Sequence, residues 1–88
     1  MALHNLRENG WVCSRSAMSH SPVDIFAGKN GVALLVQVKS GTARMSKAET
    51  VELFNWAEAF NARAELWLYK KGGQLIKKTI RELEGVTT

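Results

Sequence analysis

Asp24, Gln37 and Lys39 are the residues of this chain whose types and spacing could do chemistry. An ionised carboxylate and an amide oxygen are both hard oxygen donors, suited to a divalent cation such as Mg2+. The backbone carbonyl of Val38, between Gln37 and Lys39, could face the same ion. A lysine ammonium beside them could hold an attacking water and offset the charge that develops on a phosphodiester. Each residue also has an ordinary reading alone. Asp24, just after Pro22-Val23, suits a turn or a cap, Gln37 a strand surface, and Lys39 a solvated strand edge. What matters is whether the chain brings them together.

The elements that must do so lie between Ser21 and Gly41. Val23 to Ala27 is short, apolar and β-branched, and Val32 to Val38 is a longer apolar run. Gly28-Lys29-Asn30-Gly31 between them reads as the turn of a β-hairpin. Side chains alternate along a strand, so Gln37 and Lys39 share one face and Val38 takes the other. Antiparallel pairing is expected to bring Asp24 to that polar end.

Around the hairpin, Met1 to Asn9 reads as a short helix stopped at Asn9-Gly10, and Trp11 to Ser14 as a strand. Arg15 to Ser21 is a hydroxyl-rich loop, and Ser40 to Met45 is a loop carrying Arg44. Ser46-Lys47-Ala48-Glu49 is a capping box, opening a helix from Lys47 to about Asn61. Leu53, Trp56, Ala57 and Phe60 form its apolar face, and Val51 and Phe54 widen it beyond what one core needs. Either the helix is wedged deeply against the sheet, or its Val51/Phe54 side meets a second subunit. Glu65 to Lys70 is a strand, Lys71 to Gly73 a turn, and Gln74 to Lys78 a last strand. Thr79 to Glu82 suits a final helical turn, and the last residues are expected to fray. The order helix, three strands, helix, two strands predicts an α/β fold with a small mixed sheet.

The 88 residues suit one small domain, marginal alone and helped by oligomerisation. A formal charge of +4 favours polyanions without demanding them. The single cysteine, Cys13, excludes an intramolecular disulfide and a cysteine-rich zinc site, and reads as a buried inert thiol. No apolar stretch approaches the roughly 20 residues of a membrane span, and Met1 to Gly10 is too polar for a secretory signal. An intracellular, cytoplasmic protein is expected, from a cellular or a viral genome.

Pro22-Val23-Asp24 and Gln37-Val38-Lys39 resemble the two signature positions of the PD-(D/E)xK nuclease superfamily, with glutamine in place of the usual glutamate. A longer stretch, Gly10 to Gly41, resembles the archaeal-type Holliday junction resolvases and their phage and bacterial relatives. The shared pattern is a Gly-aromatic pair, a short strand, an Arg-Ser-Ala loop, Pro-x-Asp and a hairpin ending in acid-x-Lys. The following helix and Glu65-Leu66-Trp67-Leu68-Tyr69 continue the likeness to about Lys78.

The resemblance implies a restriction-endonuclease-like core, αβββαβ, spanning residues 1–88 as a single nuclease-like domain. It implies a Mg2+-dependent endonuclease, with Mn2+ as a substitute, that nicks four-way DNA junctions as a homodimer formed through the 47–61 helix. It places metal-ligand roles on Asp24 and Gln37, the catalytic lysine on Lys39, an active-site serine on Ser19 and a phosphate-binding position on Arg15. Arg7 and Arg44 are further candidates for DNA phosphates. Met18 stands where the family has glycine, and His20 matches no family role. The family also carries a glutamate in its first helix, and that position falls before Met1. Glu8 is about nine residues further along and is expected to face solvent. Three other readings stay open: a structure-selective nuclease for another substrate, a weakened DNA-binding module on the same fold, and a small α/β domain with an accidental motif.

Overall fold

In the computed structural model, the residues described are 2–16, 21–41 and 45–80. They form α1 (Ala2–Glu8), β1 (Val12–Arg15), β2 (Ile25–Lys29), β3 (Val32–Ser40), α2 (Lys47–Phe60), β4 (Arg63–Tyr69), a 3-10 turn (Lys71–Gly73) and β5 (Leu75–Ile80). The sheet order is β1-β2-β3-β4-β5. All neighbours are antiparallel except β3 and β4, which run parallel because α2 crosses over between them.

The helices cover opposite faces of the sheet. Ala2 and Leu6 of α1 pack on Ile25, Ala27, Leu34, Val36 and Trp67. Leu53 and Ala57 of α2 pack on Val23, Leu35 and Ala64, with Phe26 and Trp56 at the margin. The alternation of β3 follows from this: Leu34 and Val36 face α1, and Leu35 faces α2. Both faces of the central strand are therefore apolar, as a strand covered on two sides requires.

The hairpin turn is tighter than the sequence suggested. Gly28 and Lys29 belong to β2, pairing with Ala33 and Val32, and Asn30-Gly31 alone makes the connection. Both residues have positive φ, 50° and 78°. That is the two-residue primed turn whose twist matches the strands, and Asn-Gly suits it because both tolerate the left-handed region.

Helix α2 is bounded as its sequence predicts. Ser46 Oγ accepts from the Glu49 N–H at 3.1 Å, and Glu49 Oε1 accepts from the Ser46 N–H at 2.9 Å. Asn61 closes the helix in the left-handed conformation, and the Ala62 N–H reaches the Ala57 carbonyl at 2.7 Å. Ser46→Ala removes one capping bond and is expected to cost about 1 kcal/mol. A urea titration reads this as a lower midpoint at unchanged slope.

The final helical turn expected over Thr79 to Glu82 does not form at Thr79 and Ile80. Both continue β5, with Ile80 opposite Ala64 and Thr79 opposite Glu65. Pairing with a buried neighbour strand overrides the weak local signal there. Residues 81–82 lie outside the described residues. Among the described residues no helix is long and apolar enough to cross a membrane.

Candidate nuclease site

Asp24 sits one residue before β2. Its N–H donates to the Val36 carbonyl at 2.8 Å, while Ile25 is the register partner of the same Val36. Two residues thus oppose one, the arrangement of a β-bulge. A bulge resets the alternation of side chains. Val23 lies in the α2-side core, Ile25 lies in the α1-side core, and Asp24 borders a cleft on the α1 side. The Asp24 carboxylate turns along β3, and Oδ2 accepts from the Val38 N–H at 2.7 Å.

This bond lies where β3 outruns β2. Ile25 pairs with Val36, and residues 37–40 of β3 have no partner on β2. Within a strand, a residue's N–H and C=O project toward the same neighbour. The Val38 carbonyl therefore shares the edge on which Asp24 binds the Val38 amide. The cleft here holds about 590 Å³ and is lined by Leu3, Arg15, Asp24, Val38, Ser40 and Tyr69, among others. Arg15 ends β1 opposite Ile25, and the next residue, Ser16, donates its N–H to the Asp24 carbonyl at 2.9 Å. Partial burial raises the Tyr69 phenol, on the cleft wall, above its ordinary value.

Gln37 and Lys39 project to the α2 side. Gln37 Oε1 is buried and has no hydrogen-bond partner among the described residues. Lys39 Nζ lies 3.1 Å from Glu49 Oε2 in the first turn of α2. Bonding to the Ser46 amide first, and then to the Lys39 ammonium, holds the Glu49 carboxyl below its ordinary value. Asp24 and Lys39 thus flank the same segment of β3 from different sides. The lysine's ion pair among the described residues is with Glu49, not Asp24.

Of the other residues singled out by sequence, Arg15 reaches the cleft. Arg7 is exposed in the last turn of α1, more than a helical turn beyond Ala2 and Leu3 at the cleft. Glu8 is exposed and pairs with His4 at 3.2 Å, away from the cleft. Cys13 is half-buried, its Sγ 3.8 Å from the Leu3 carbonyl. Met18, Ser19, His20 and Arg44 lie outside the described residues. Sequence reasoning missed the contact of Glu49 with Lys39. The capping box marked Glu49 only as a helix starter, and no motif links positions 39 and 49.

Residues 3–85 match the family described as archaeal Holliday junction resolvase (hjc). The chain belongs to this family. It also superposes on Hjc from Archaeoglobus fulgidus, described as a Holliday junction resolvase from an archaeal hyperthermophile. The TM-score is 0.76 at 24% identity, over 90% of this chain and 71% of that one. The fold is thus the restriction-endonuclease-like α/β core expected from the sequence. No curated protein matches the chain. Family membership places the chain among the nucleases of DNA recombination and repair.

Among the described residues, no group of three or more His, Cys, Asp or Glu side chains converges as a metal cluster. A hard cation does not need one. One carboxylate, a strand carbonyl and an amide oxygen with no partner among the described residues are the kinds of oxygen donor Mg2+ accepts while keeping several waters. A buried acceptor left unbonded costs about 1–3 kcal/mol, and an ion or a water is the usual resolution. The Gln37 oxygen fits that description.

Proposed function

We propose that the chain is a divalent-metal-dependent endonuclease that nicks four-way DNA junctions as a homodimer. The observation that carries this reading is the bond from the Val38 amide to the Asp24 carboxylate at the open end of β3. It places an acid on the one stretch of strand that also carries the amide and the ammonium of the motif.

Asp24 and the Val38 carbonyl, on the same edge of β3, would hold Mg2+, or Mn2+ in its place, while Gln37 Oε1, on the α2 side, is assigned to the ion by the sequence motif. When bound, the ion supplies positive charge to the phosphate and lowers the pKa of a coordinated water. Lys39 stabilises charge that grows on the phosphate during attack. Arg15, at the mouth of the cleft, takes a neighbouring phosphate, and its bidentate geometry orients the backbone. Ser19 and Arg44 are assigned to DNA on sequence alone, and Arg7 contributes at most long-range attraction to the duplex. Phosphate contacts of this kind make binding fall steeply with salt and read shape rather than base sequence.

The homodimer is supported by apolar surface on and beside α2. Phe60 is 54% exposed although it stacks on Trp56 and touches Phe26, both at ring distances of 5.9 Å. Val12, on the edge strand next to it, is 82% exposed. Val51 and Phe54 are half-buried and stand outside both core clusters. A second copy over α2 would cover this surface and present two sites to one junction.

One observation favours a second reading, a DNA-binding module with weak or no cleavage. Among the described residues, Asp24 is the only carboxylate lining the cleft, and position 37 brings no charge. Incubation with a synthetic four-way junction, a flap and a linear duplex separates these readings. The endonuclease reading expects paired symmetric nicks in the junction with Mg2+ and none with chelator. Binding without nicks in Mg2+ or Mn2+ supports the module, and preferred flap cleavage points to a different substrate.

A further inference from the structure

A capping box uses one acceptor from its third helical residue, and glutamine serves there as well as glutamate. In α2 that acceptor is Glu49 Oε1, bonded to the Ser46 N–H at 2.9 Å. The other oxygen is surplus to the cap, and it holds Lys39 Nζ at 3.1 Å. The carboxylate is therefore anchored on one side by backbone and turned on the other toward the motif's lysine. Its base is firm, because Leu53 and Ala57 seat α2 against β3 and β4. The pair is partly buried, with Glu49 38% exposed, and the packing of Leu53 and Ala57 seats α2 without it. Lys39 is only 20% exposed, which is low for a long amine at a strand end.

Resting on the endonuclease reading, we infer that Glu49 is a positioning residue that fixes the Lys39 ammonium beside Gln37 through its second carboxylate oxygen. It also supplies a negative charge on the side of β3 where Gln37 supplies none. A freely rotating lysine samples many geometries, of which few serve the reaction, so tethering it acts on the chemical step and leaves DNA binding unchanged.

The test compares wild type, Glu49→Gln and Ser46→Ala by four measurements. These are Tm, junction affinity in Ca2+, single-turnover cleavage in Mg2+, and the rate at which an amine-acylating reagent modifies Lys39. Glu49→Gln keeps the cap, so Tm and junction affinity hold. Cleavage falls about 10- to 100-fold, the scale of a misplaced catalytic group, and Lys39 acylates faster. Ser46→Ala lowers Tm, but the Ser46 N–H still holds Glu49, so cleavage per folded molecule and Lys39 acylation stay at wild-type values. Glu49→Gln cutting at or above the wild-type rate overturns the role while leaving the endonuclease reading intact. Unchanged Lys39 acylation in Glu49→Gln overturns the tether whether or not the chain cuts. A wild type that binds the junction and never cuts it overturns the endonuclease reading and the catalytic part of this role with it.

Discussion

Replacing Asp24 by asparagine is expected to lower the rate of junction cleavage by on the order of 10²-fold or more, with little change in stability. Asparagine is close to isosteric, and its carbonyl oxygen can still accept from the Val38 N–H, now held at 2.7 Å by the carboxylate. The bulge at Val36 depends on the Asp24 backbone, so it also survives. What the substitution removes is the charge. A neutral amide at position 24 would leave the proposed site with amide and carbonyl oxygens only, a donor set that holds Mg2+ poorly. Single-turnover cleavage and thermal unfolding of the same preparation check this together. Loss of activity with an unchanged Tm matches the expectation. Cleavage at the wild-type rate would remove Asp24 from the reaction.

The second large effect concerns the scaffold. Trp67→Ala is expected to destabilise the chain by about 3–5 kcal/mol, the usual range for truncating a buried tryptophan. In a domain of this size that lowers Tm by roughly 15–30 °C. Trp67 is 1% exposed and belongs to the core under α1. Its indole Nε1–H donates to Glu65 Oε1 at 2.8 Å. The Lys77 ammonium of β5 sits 4.2 Å from the ring centroid and donates to Asn5 Oδ1 of α1 at 2.9 Å. One ring therefore joins the sheet, the edge strand and the first helix. Trp67→Phe keeps most of the packing and loses the indole donor and part of the ring face, so a smaller loss is expected. Urea midpoints of the two variants test the order. Equal losses would show that the Glu65 bond, and not the volume of the ring, dominates.

Where local chemistry decides the structure, the sequence was readable. The capping box at Ser46, the Asn-Gly pair in the hairpin and the alternation of Glu65 to Tyr69 each have a local cause, and each forms. The misreadings have tertiary causes. Gly28 looks like a turn residue, yet the ladder with Ala33 draws it into β2. Thr79 and Ile80 look like the start of a helical turn, yet β4 offers them partners. At the site, the motif indicated which residues matter and not which way they face. Simple alternation would put Asp24 opposite Gln37. The bulge shifts it by one position, so its carboxylate meets the backbone of Val38 while Gln37 and Lys39 turn toward α2. A two-against-one pairing depends on how β1, β2 and β3 dock, and no single residue between Pro22 and Ile25 announces it. The tie between Lys39 and Glu49 was hidden for a similar reason, because it closes only when α2 settles on β3.

The central claim is that a divalent cation binds at the open end of β3, held through Asp24. Paramagnetic broadening of backbone amide signals by substoichiometric Mn2+ tests it directly. The account predicts that Asp24, Gln37, Val38 and Lys39 broaden first in the wild type, and that this selectivity disappears in Asp24→Asn. Broadening centred on other acidic residues such as Glu52 or Glu58, or a pattern at residues 37–39 that is unchanged in Asp24→Asn, would contradict it.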